Sequence, residues 1–402
     1  MQEPQLHDLI SRELQLHDLI GQELQLHDLI SRRLQLGRPA GLIVQKTQDF
    51  TTNKQLSKYT CRALFCGRPG QCNALSLCNS WLQSPSHPHP TQLQMGFSLV
   101  DSSAPEWVPT QRQDGRRFVV TGANRGIGLA TATGLAALGA HVVLAGHESS
   151  DLFAAAMDHV ALATGCARDQ LSYMPLDLRS LDSVRSFARS WEQRPAAERA
   201  LHGLINNAGI AGMPGLSPDG FEMCFQINYL SMFLLTRLLL PFLCAAGSEP
   251  ARIVCVSSSA HLYTLGLPTD EHYLRSPGGG FFSLRYGESK LCVNAFVGQL
   301  AARLDPAKAV AYAVHPGSTA SGFWAGFPAW AQRCIASVTQ DPGRGARTSL
   351  FCATEPRLVS GGYFADCAAA TPSFWLNSKD KAADLWQKSC AWTGVSPNAA
   401  LQ

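Results

Sequence analysis

The chain of 402 residues carries few charged side chains and almost no net charge. Its formal net charge is +3, and Asp, Glu, Lys and Arg together make up only 16% of the residues. No run of lysine or arginine occurs. Nucleic-acid binding depends on a concentrated positive surface. The sequence therefore predicts no nucleic-acid partner.

Two kinds of apolar segment are also missing. No stretch holds the roughly 18 uncharged apolar residues that a membrane span needs. The start of the chain shows no basic region, apolar region and cleavage site of a secretory signal. The 13 cysteines are scattered, which favours reduced thiols over a disulfide framework. We expect a cytoplasmic or organellar protein that is not secreted and has no transmembrane segment.

Residues 1–36 contain a ten-residue tandem repeat, with units at Gln5–Leu14, Gln15–Leu24 and Gln25–Leu34. The apolar residues of one unit fall on about half of a helix circumference, which predicts an amphipathic helix. Each unit has a His-Asp pair but neither a thiolate nor a second histidine one turn away, so metal binding is not predicted. A solvated or partner-binding helix is the expected role.

Residues 37–110 read as a low-acid, unstructured linker. Asp49 is the one acidic residue between Leu36 and Val100, a composition weakly typical of organelle transit segments. Four cysteines are separated by four, five and five residues, unlike the paired short gaps of common zinc sites; they are Cys61, Cys66, Cys72 and Cys78. No metal site is predicted here or elsewhere.

Short apolar strands alternate with helix-length segments from residue 111 to residue 395, and a tail follows at 396–402. The predicted strands are Phe118–Val120, His141–Ala145, Ser172–Pro175, Gly203–Asn206, Arg252–Ser257 and Val310–His315. Such alternation builds right-handed βαβ units. The expected fold is α/β, a single doubly wound Rossmann-type parallel sheet with helices on both faces.

The segment Thr121-Gly-Ala-Asn-Arg-Gly-Ile-Gly128 lies between the first of these strands and an apolar helix. Glycines there permit a tight turn and a close approach of backbone N–H groups to a pyrophosphate, which the helix N-terminus also attracts. The strand before and the helix after make a dinucleotide site the preferred interpretation. Its candidate residues are Gly122, Asn124, Arg125, Gly126, Ile127 and Gly128.

The second strand gives a cue to the choice of dinucleotide. NAD sites usually have an acidic residue at its end, whereas NADP sites have cations. Here the strand ends Leu144-Ala-Gly-His147, and Arg125 stands in the glycine turn. NADP(H) is therefore favoured over NAD(H), with the alternative that Glu148 reads a ribose 2′-hydroxyl.

Tyr286-Gly-Glu-Ser-Lys290 supplies the candidate chemistry. Residues i and i+4 share one face of a helix, so the lysine cation is expected to lower the tyrosine pKa from about 10 towards neutrality. A phenol with such a pKa is a general acid and base. The pair indicates interconversion of a carbonyl and an alcohol.

In this order, the glycine turn, Asn206-Asn-Ala-Gly209 and Tyr286/Lys290 resemble the short-chain dehydrogenase/reductase family over nearly everything after Gln111. The chain looks most like the retinol dehydrogenase and WW-domain oxidoreductase branch. That branch is suggested by Arg252–His261, Gly361–Cys367 and Ala383–Trp386. Unlike parts of this branch, the chain shows no N-terminal apolar anchor, and Trp81 lacks the partner of a WW module.

The resemblance implies a role for each matching residue. Tyr286 would donate or accept the proton, and Lys290 would lower its pKa and bind the nicotinamide ribose. Ser258 would hydrogen-bond the substrate oxygen, with Ser257 and Ser259 as alternatives. Asn228 would hold a water in the proton relay, unless it merely satisfies backbone groups.

The resemblance also implies the remaining cofactor contacts. Asp177 would contact the adenine ring. Asn207, Ala208 and Gly209 would shape the adenosine side, although a purely structural turn is the alternative for Asn207 and Gly209. His147 stands where the branch commonly has a 2′-phosphate-binding arginine. The chain at Pro316 and Gly317 would run alongside the nicotinamide carboxamide. A homodimer would form through Phe221–Cys244 and Leu284–Leu304.

The candidate substrate lid, Gly317–Val338, is aromatic and nearly uncharged. It suits an apolar small molecule such as a lipid aldehyde, a retinoid-like alcohol, a ketone or a quinone. The alternative is that these aromatic residues pack on the sheet. Two other functions stay open: a carbon–carbon double-bond reductase of the protochlorophyllide type, and a low-turnover nucleotide-binding scaffold or sensor.

Overall fold

The computed structural model describes residues 42–48, 59–66, 72–75, 107–247, 249–278, 284–317 and 341–397. The chain forms two compact units, Met1–Gly96 and Phe97–Gln402. The predictions for the tandem repeat, for Cys78 and Trp81, and for lid residues 318–338 concern residues outside the described ranges.

The first unit contains three antiparallel strands in the order β1-β2-β3. They are β1 (Leu42–Gln48), β2 (Tyr59–Cys66) and β3 (Cys72–Leu75). They lie within residues 37–110, and the assignment of that segment as a linker stays a prediction.

The second unit is built on one eight-stranded sheet in the order β11-β10-β9-β8-β7-β4-β5-β6. All neighbouring strands are parallel except the terminal hairpin of β10 and β11. The strands are β4 (Arg117–Thr121), β5 (His141–Gly146), β6 (Leu171–Pro175), β7 (Gly203–Asn206), β8 (Ala251–Val256), β9 (Ala309–His315), β10 (Tyr363–Ala365) and β11 (Ala368–Ala369). The predicted doubly wound fold is confirmed.

Ten α-helices are described in this unit: α1 (Gly126–Ala137), α2 (Ser150–Thr164), α3 (Leu181–Glu192), α4 (Ala196–Arg199), α5 (Met223–Phe225), α6 (Ser231–Cys244), α7 (Glu271–Leu274), α8 (Arg285–Ala301), α9 (Pro342–Thr354) and α10 (Lys379–Thr393). Short 3-10 turns occur at Arg168–Gln170, Ser259–Tyr263 and Phe374–Asn377, and a π-helical turn, Gln226–Leu230, joins α5 to α6.

Both faces of the sheet are buried. Val119 of β4 packs in the cluster that contains α3, α6, α8 and α10, whereas Phe118 and Val120 pack in the cluster that contains α1, α2 and α9. This alternation follows from the two-residue period of a strand, and burial on both faces is typical of a parallel sheet.

Within the described ranges, Met223–Cys244 is the one helical stretch long and apolar enough to span a membrane by length and composition. The sequence analysis did not single it out, because Arg237 and several polar residues interrupt the apolar run. In the structure, 78% of its apolar window is buried inside the protein, and α6 packs against α3 and the sheet.

The last helix, α10, lies across α6 and α8. Trp386 packs against both Phe233 and Phe296, with ring centroids 5.3 and 6.0 Å away. The guanidinium groups of Arg237 and Arg303 lie 5.0 and 4.5 Å from the tryptophan ring centroid. The helix bearing the candidate tyrosine is thus held partly by the end of the chain.

Candidate active site

The glycine turn follows β4 directly and opens α1. Gly122 and Gly126 have φ values of +64° and +58°, a region that favours glycine. A side chain on Gly128 would come 2.6 Å from Nδ2 of Asn207. No acidic residue stands in the first turn of α1, so its free N–H groups suit an anion.

Asn207 and Ala208 tie the ends of β4 and β7 together. The Asn207 side-chain amide donates to Thr121 O at 2.8 Å, and Thr121 Oγ1 accepts the backbone N–H groups of Asn207 and Ala208, both at 3.0 Å. These bonds support the alternative that Asn207 has a structural role in the turn. Thr121 was missed as an anchor, although it begins the glycine motif.

Gly209 marks a close approach beyond these two residues. A side chain there would lie 3.2 Å from both Asn228 Oδ1 and Lys290 Nζ. The crevice between β4 and β7 is the point where the strand order reverses, which is where ligands of doubly wound sheets bind. The glycine keeps that crevice open next to Lys290.

Three charged or ionisable side chains meet beside the glycine turn, just after the end of β5. Arg125 Nη2 lies 3.6 Å from one carboxylate oxygen of Glu148, and His147 Nδ1 lies 3.5 Å from the other. The two candidate phosphate-binding groups therefore share an acidic neighbour. Tyr173 OH donates to Glu148 O at 3.1 Å, which fixes the residue's backbone.

Asp177 is already engaged by a neighbour. Arg179 donates to its carboxylate from the backbone N–H at 2.9 Å and from Nη2 at 2.8 Å. Partial burial acts to raise the pKa of Asp177, but the hydrogen bonds and charge of Arg179 outweigh it and the pKa lies below its usual range. The group is an anion that a ligand would share with Arg179.

Of the three candidate serines, Ser258 reaches Tyr286. The Ser258 side chain is near enough to the Tyr286 phenol to act on its pKa, which it lowers against the effect of burial. Ser257 Oγ instead donates to Lys290 O at 3.2 Å, and the backbone N–H of Ser259 donates to His315 Nδ1 at 3.2 Å. The structure thus places two hydroxyl groups together, one from the end of β8 and one from α8.

Lys290 is nearly fully buried on α8, one turn after Tyr286. Burial lowers its pKa to about 8. Nζ donates to Val256 O at 2.7 Å and lies 5.8 Å from the Tyr286 ring centroid. The cation is therefore held by a strand-end carbonyl beside the tyrosine.

The expected lowering of the Tyr286 pKa does not appear. Burial raises that pKa above 10, while the nearby Ser258 side chain acts in the opposite direction. The physical reason is desolvation of the phenolate, which outweighs the favourable neighbours. In this arrangement Tyr286 is a protonated donor at neutral pH.

Asn228 lies in the π-helical turn Gln226–Leu230. Its Oδ1 accepts the Ile210 N–H at 2.8 Å, and its Nδ2 donates to Ile210 O at 3.0 Å and to Ser289 Oγ at 2.9 Å. Ser289 in turn donates to Tyr286 O at 2.7 Å. The side chain therefore satisfies backbone groups, as the alternative expected, and also connects to the catalytic helix through Ser289, which sequence reasoning missed.

Pro316 and Gly317 follow β9, on the same edge of the sheet. Gly317 has a φ of +74°. The preceding His315 accepts the Ser259 N–H, and burial lowers its pKa to about 4. This neutral imidazole links the end of β9 to the Ser258 turn.

These residues fit a nicotinamide dinucleotide. The glycines of the turn leave room where side chains would clash, Gly209 opens the crevice beside Lys290, and Tyr286 lies one helical turn before Lys290 with Ser258 near its phenol. Among the residues that the structure describes, no group of His, Cys, Asp and Glu side chains is arranged to hold a metal ion. The arrangement defines a Rossmann-type oxidoreductase.

Comparisons with known proteins assign the family. The short chain dehydrogenase family model matches residues 116–273. The chain is 39% identical to human retinol dehydrogenase 11 over 71% of its own length and 88% of that protein, and 36% identical to the zebrafish (Danio rerio) WW domain-containing oxidoreductase over 68% and 67%. The chain belongs to the short-chain dehydrogenase/reductase family, in the retinol dehydrogenase-like branch, and is an NAD(P)-dependent oxidoreductase of CH–OH groups.

Solved structures agree on the fold. A crystal structure of an uncharacterised protein from Mycobacterium paratuberculosis is 30% identical, has a TM-score of 0.56, and covers 71% of this chain and 96% of its own. The Pseudomonas aeruginosa RhlG/NADP active-site complex has a TM-score of 0.51 at 24% identity, covering 64% and 97%. The second likeness shows the fold alone.

Proposed function

We propose that the protein is an NADP(H)-dependent oxidoreductase that interconverts a carbonyl and a primary or secondary alcohol on an apolar small molecule. The observation that supports it is the proximity of the Ser258 hydroxyl to the Tyr286 phenol, next to the buried ammonium of Lys290. The substrate classes are retinoid-like alcohols, lipid aldehydes, ketones and quinones. The printed name of the human relative, a retinol dehydrogenase, supports the first.

The chain's groups would divide the work as follows. The hydride would come from NADPH when that cofactor is bound. Ser258 and Tyr286 orient the carbonyl oxygen and stabilise the negative charge that develops on it, since preorganised donors are strongest in a dry site. Tyr286, protonated because burial raises its pKa, delivers the proton to that oxygen.

Lys290 and Asn228 support the Ser258 and Tyr286 hydroxyls through neighbouring groups. The buried ammonium would stabilise the phenolate that forms when Tyr286 loses its proton and, as the family resemblance implies, would bind the nicotinamide ribose. Asn228 fixes the start of the crevice through Ile210 and fixes α8 through Ser289. A relay water beside Asn228 is part of the proposal that comes from the family resemblance.

The preference between NADP(H) and NAD(H) depends on the residues expected to bind the adenosine half of the cofactor. Arg125 and His147 are both exposed enough to meet a 2′-phosphate, with 68% and 50% of their side-chain surfaces accessible. Glu148 opposes them, because its carboxylate repels a phosphate and is also suited to a ribose 2′-hydroxyl. We propose NADP(H) as the preferred cofactor, with a weaker preference than a pair of unopposed cations would give.

The first experiment measures loss of reduced-nicotinamide absorbance by the full chain with NADPH and NADH across apolar aldehydes, ketones and quinones. Turnover to the alcohol that collapses in Tyr286→Phe supports the proposal. Tyr263→Phe is a matched control, because that phenol is 55% exposed and outside the hydroxyl pair. Saturated carbonyl products would instead indicate a double-bond reductase, and NADPH binding without turnover would indicate a sensor.

The assembly and location of the protein are further proposals. A homodimer through α6 and α8 is the family expectation, but α10 already covers the part of both helices around Phe233 and Phe296. We propose that pairing of two copies uses surface outside α10. The cytoplasmic or organellar location remains a prediction from the sequence.

A further inference from the structure

His261 is fully buried three residues after Ser258 and makes no contact assigned above. Its Nδ1 lies 2.5 Å from Ser258 O, and its Nε2 accepts the Ser373 N–H at 3.1 Å. Because a backbone N–H can only donate, Nε2 must be unprotonated. The ring proton is therefore assigned to Nδ1, which donates to Ser258 O.

The same ring joins two distant parts of the chain. Its edge faces Tyr363 of β10, with centroids 4.9 Å apart at 71°. Trp375 Nε1 donates to Thr264 O at 2.9 Å. This is a second bond from the segment after β11, and its acceptor directly follows the turn Ser259–Tyr263. Burial lowers the pKa of His261, so the imidazole is neutral at neutral pH.

The peptide carbonyl of Ser258 is thus fixed from two directions. It accepts the backbone N–H of His261 at 3.2 Å as well as Nδ1. The Ser258 hydroxyl oxygen accepts the Ala260 N–H at 3.2 Å. With a lone pair committed to Ala260, the hydroxyl hydrogen is free to point towards the crevice.

We propose that His261 is a positioning residue that holds Ser258 in its reactive geometry and couples it to the C-terminal segment at Ser373. This inference rests on the proposed role of Ser258 in carbonyl reduction. The imidazole is fully buried and contacts the Ser258 carbonyl and the Ser373 N–H. It acts through the Ser258 peptide, and losing its Nδ1 donor frees that peptide to rotate and misplaces the hydroxyl.

Two substitutions separate the two bonds. In His261→Asn the side-chain amide nitrogen reaches the place of Nδ1, so the donor to Ser258 is kept and the acceptor for Ser373 is lost. In His261→Gln the amide oxygen reaches the place of Nε2, so the acceptor is kept and the donor is lost. His202→Gln is the control, because it removes the Arg117 N–H acceptor at the opposite end of the strands.

The full chain and its variants are compared in kcat, KM, NADPH affinity and melting temperature. We expect His261→Gln to lower kcat about tenfold, the equivalent of about 1.4 kcal/mol in the barrier, with NADPH affinity changed less than about twofold. His261→Asn retains most of kcat at a similar loss of melting temperature. His202→Gln leaves kcat unchanged.

Equal kcat in Gln and Asn variants, whether both normal or both reduced, overturns the proposal in favour of a purely structural histidine. Long-range nitrogen–proton NMR of histidine-labelled protein gives a readout independent of turnover, with the His261 signals assigned by their loss in His261→Asn. A proton on Nε2 also overturns the inference. Absence of turnover in the wild-type chain contradicts the proposed function alone, since the tautomer is still read.

Discussion

At the scale of single residues, Glu148 controls the charge that a 2′-phosphate meets. Its carboxylate is mostly buried, with 18% of the side chain exposed, and it lies within 3.6 Å of Arg125 and 3.5 Å of His147. Charge interactions at such distances are strong only where water is partly excluded. The acid therefore reduces the net positive potential that the two basic side chains present.

Glu148→Gln should strengthen the preference for NADPH. Removal of one negative charge raises NADPH affinity by several-fold, on the order of 1 kcal/mol, and leaves NADH affinity unchanged or lower. Fluorescence titration of both cofactors measures the ratio. Glu249→Gln is the control, because it removes an exposed carboxylate paired with Arg116 at 2.6 Å. If Glu148→Gln left the ratio of NADPH affinity to NADH affinity unchanged, Glu148 would have to face away from the bound ribose.

The pH dependence of reduction should follow Lys290. Its pKa is lowered to about 8 by burial, so the ammonium is present below pH 8 and lost above it. Tyr286 stays protonated across this range because its own pKa is raised. We expect kcat/KM for carbonyl reduction to fall as pH rises through about 8. A profile that is flat to pH 10 would show that the cation is not required or is stabilised further by the bound cofactor.

The candidate residues could be predicted from the sequence where a motif fixes their spacing. Tyr286 and Lys290 share a helix, and the structure places both at the crevice. The direction of the Tyr286 pKa was not readable, because it depends on desolvation by distant segments. Ser289 and His261 escaped notice for the same reason: their partners, Asn228 and Ser373, lie far away in the chain.

At the scale of elements, the glycine turn depends on the absence of side chains. Gly128→Ala places a methyl group against Gly122 O and within 2.6 Å of Asn207 Nδ2. We expect at least a tenfold loss of NADPH affinity in calorimetric titration, because the strand end and the helix start must separate. Circular dichroism checks that the fold is kept.

Gly298→Ala is the matched control for that change. Gly298 lies in α8 with open space around the added methyl group. Alanine is the better helix former by about 1 kcal/mol, so this variant should melt higher and bind NADPH normally. Equal affinities in the two variants would contradict the role given to the turn.

Elements with strong local patterns were predictable and short ones were not. The six predicted strands match β4 to β9 within about two residues, because each is an apolar run followed by a helix-length segment. The hairpin of β10 and β11 has three and two residues, too few for a periodic signal. Its position is set by pairing with β9, a contact that the local sequence does not record.

At the scale of the whole molecule, α10 completes the core around α6 and α8. Trp386→Ala should cost about 3 to 5 kcal/mol of unfolding free energy, since the side chain is 1% exposed and its loss leaves a cavity. Chemical denaturation of the full chain measures this value. Phe374→Ala, which removes an aromatic side chain that is 66% exposed, should change it by less than about 0.5 kcal/mol. Similar losses in both variants would contradict the assigned packing.

The order of α6, α8 and α10 along the chain has a consequence for synthesis. During translation, α8 leaves the ribosome well before Trp386 has been made, and chains grow at about 5 to 20 residues per second. For several seconds Phe233 and Phe296 lack the cover that Trp386 of α10 provides. We expect chaperones that shield apolar surface to bind such a nascent chain. A premature stop before α10 would leave this aromatic surface without α10 permanently, so the truncated chain would stay bound by chaperones.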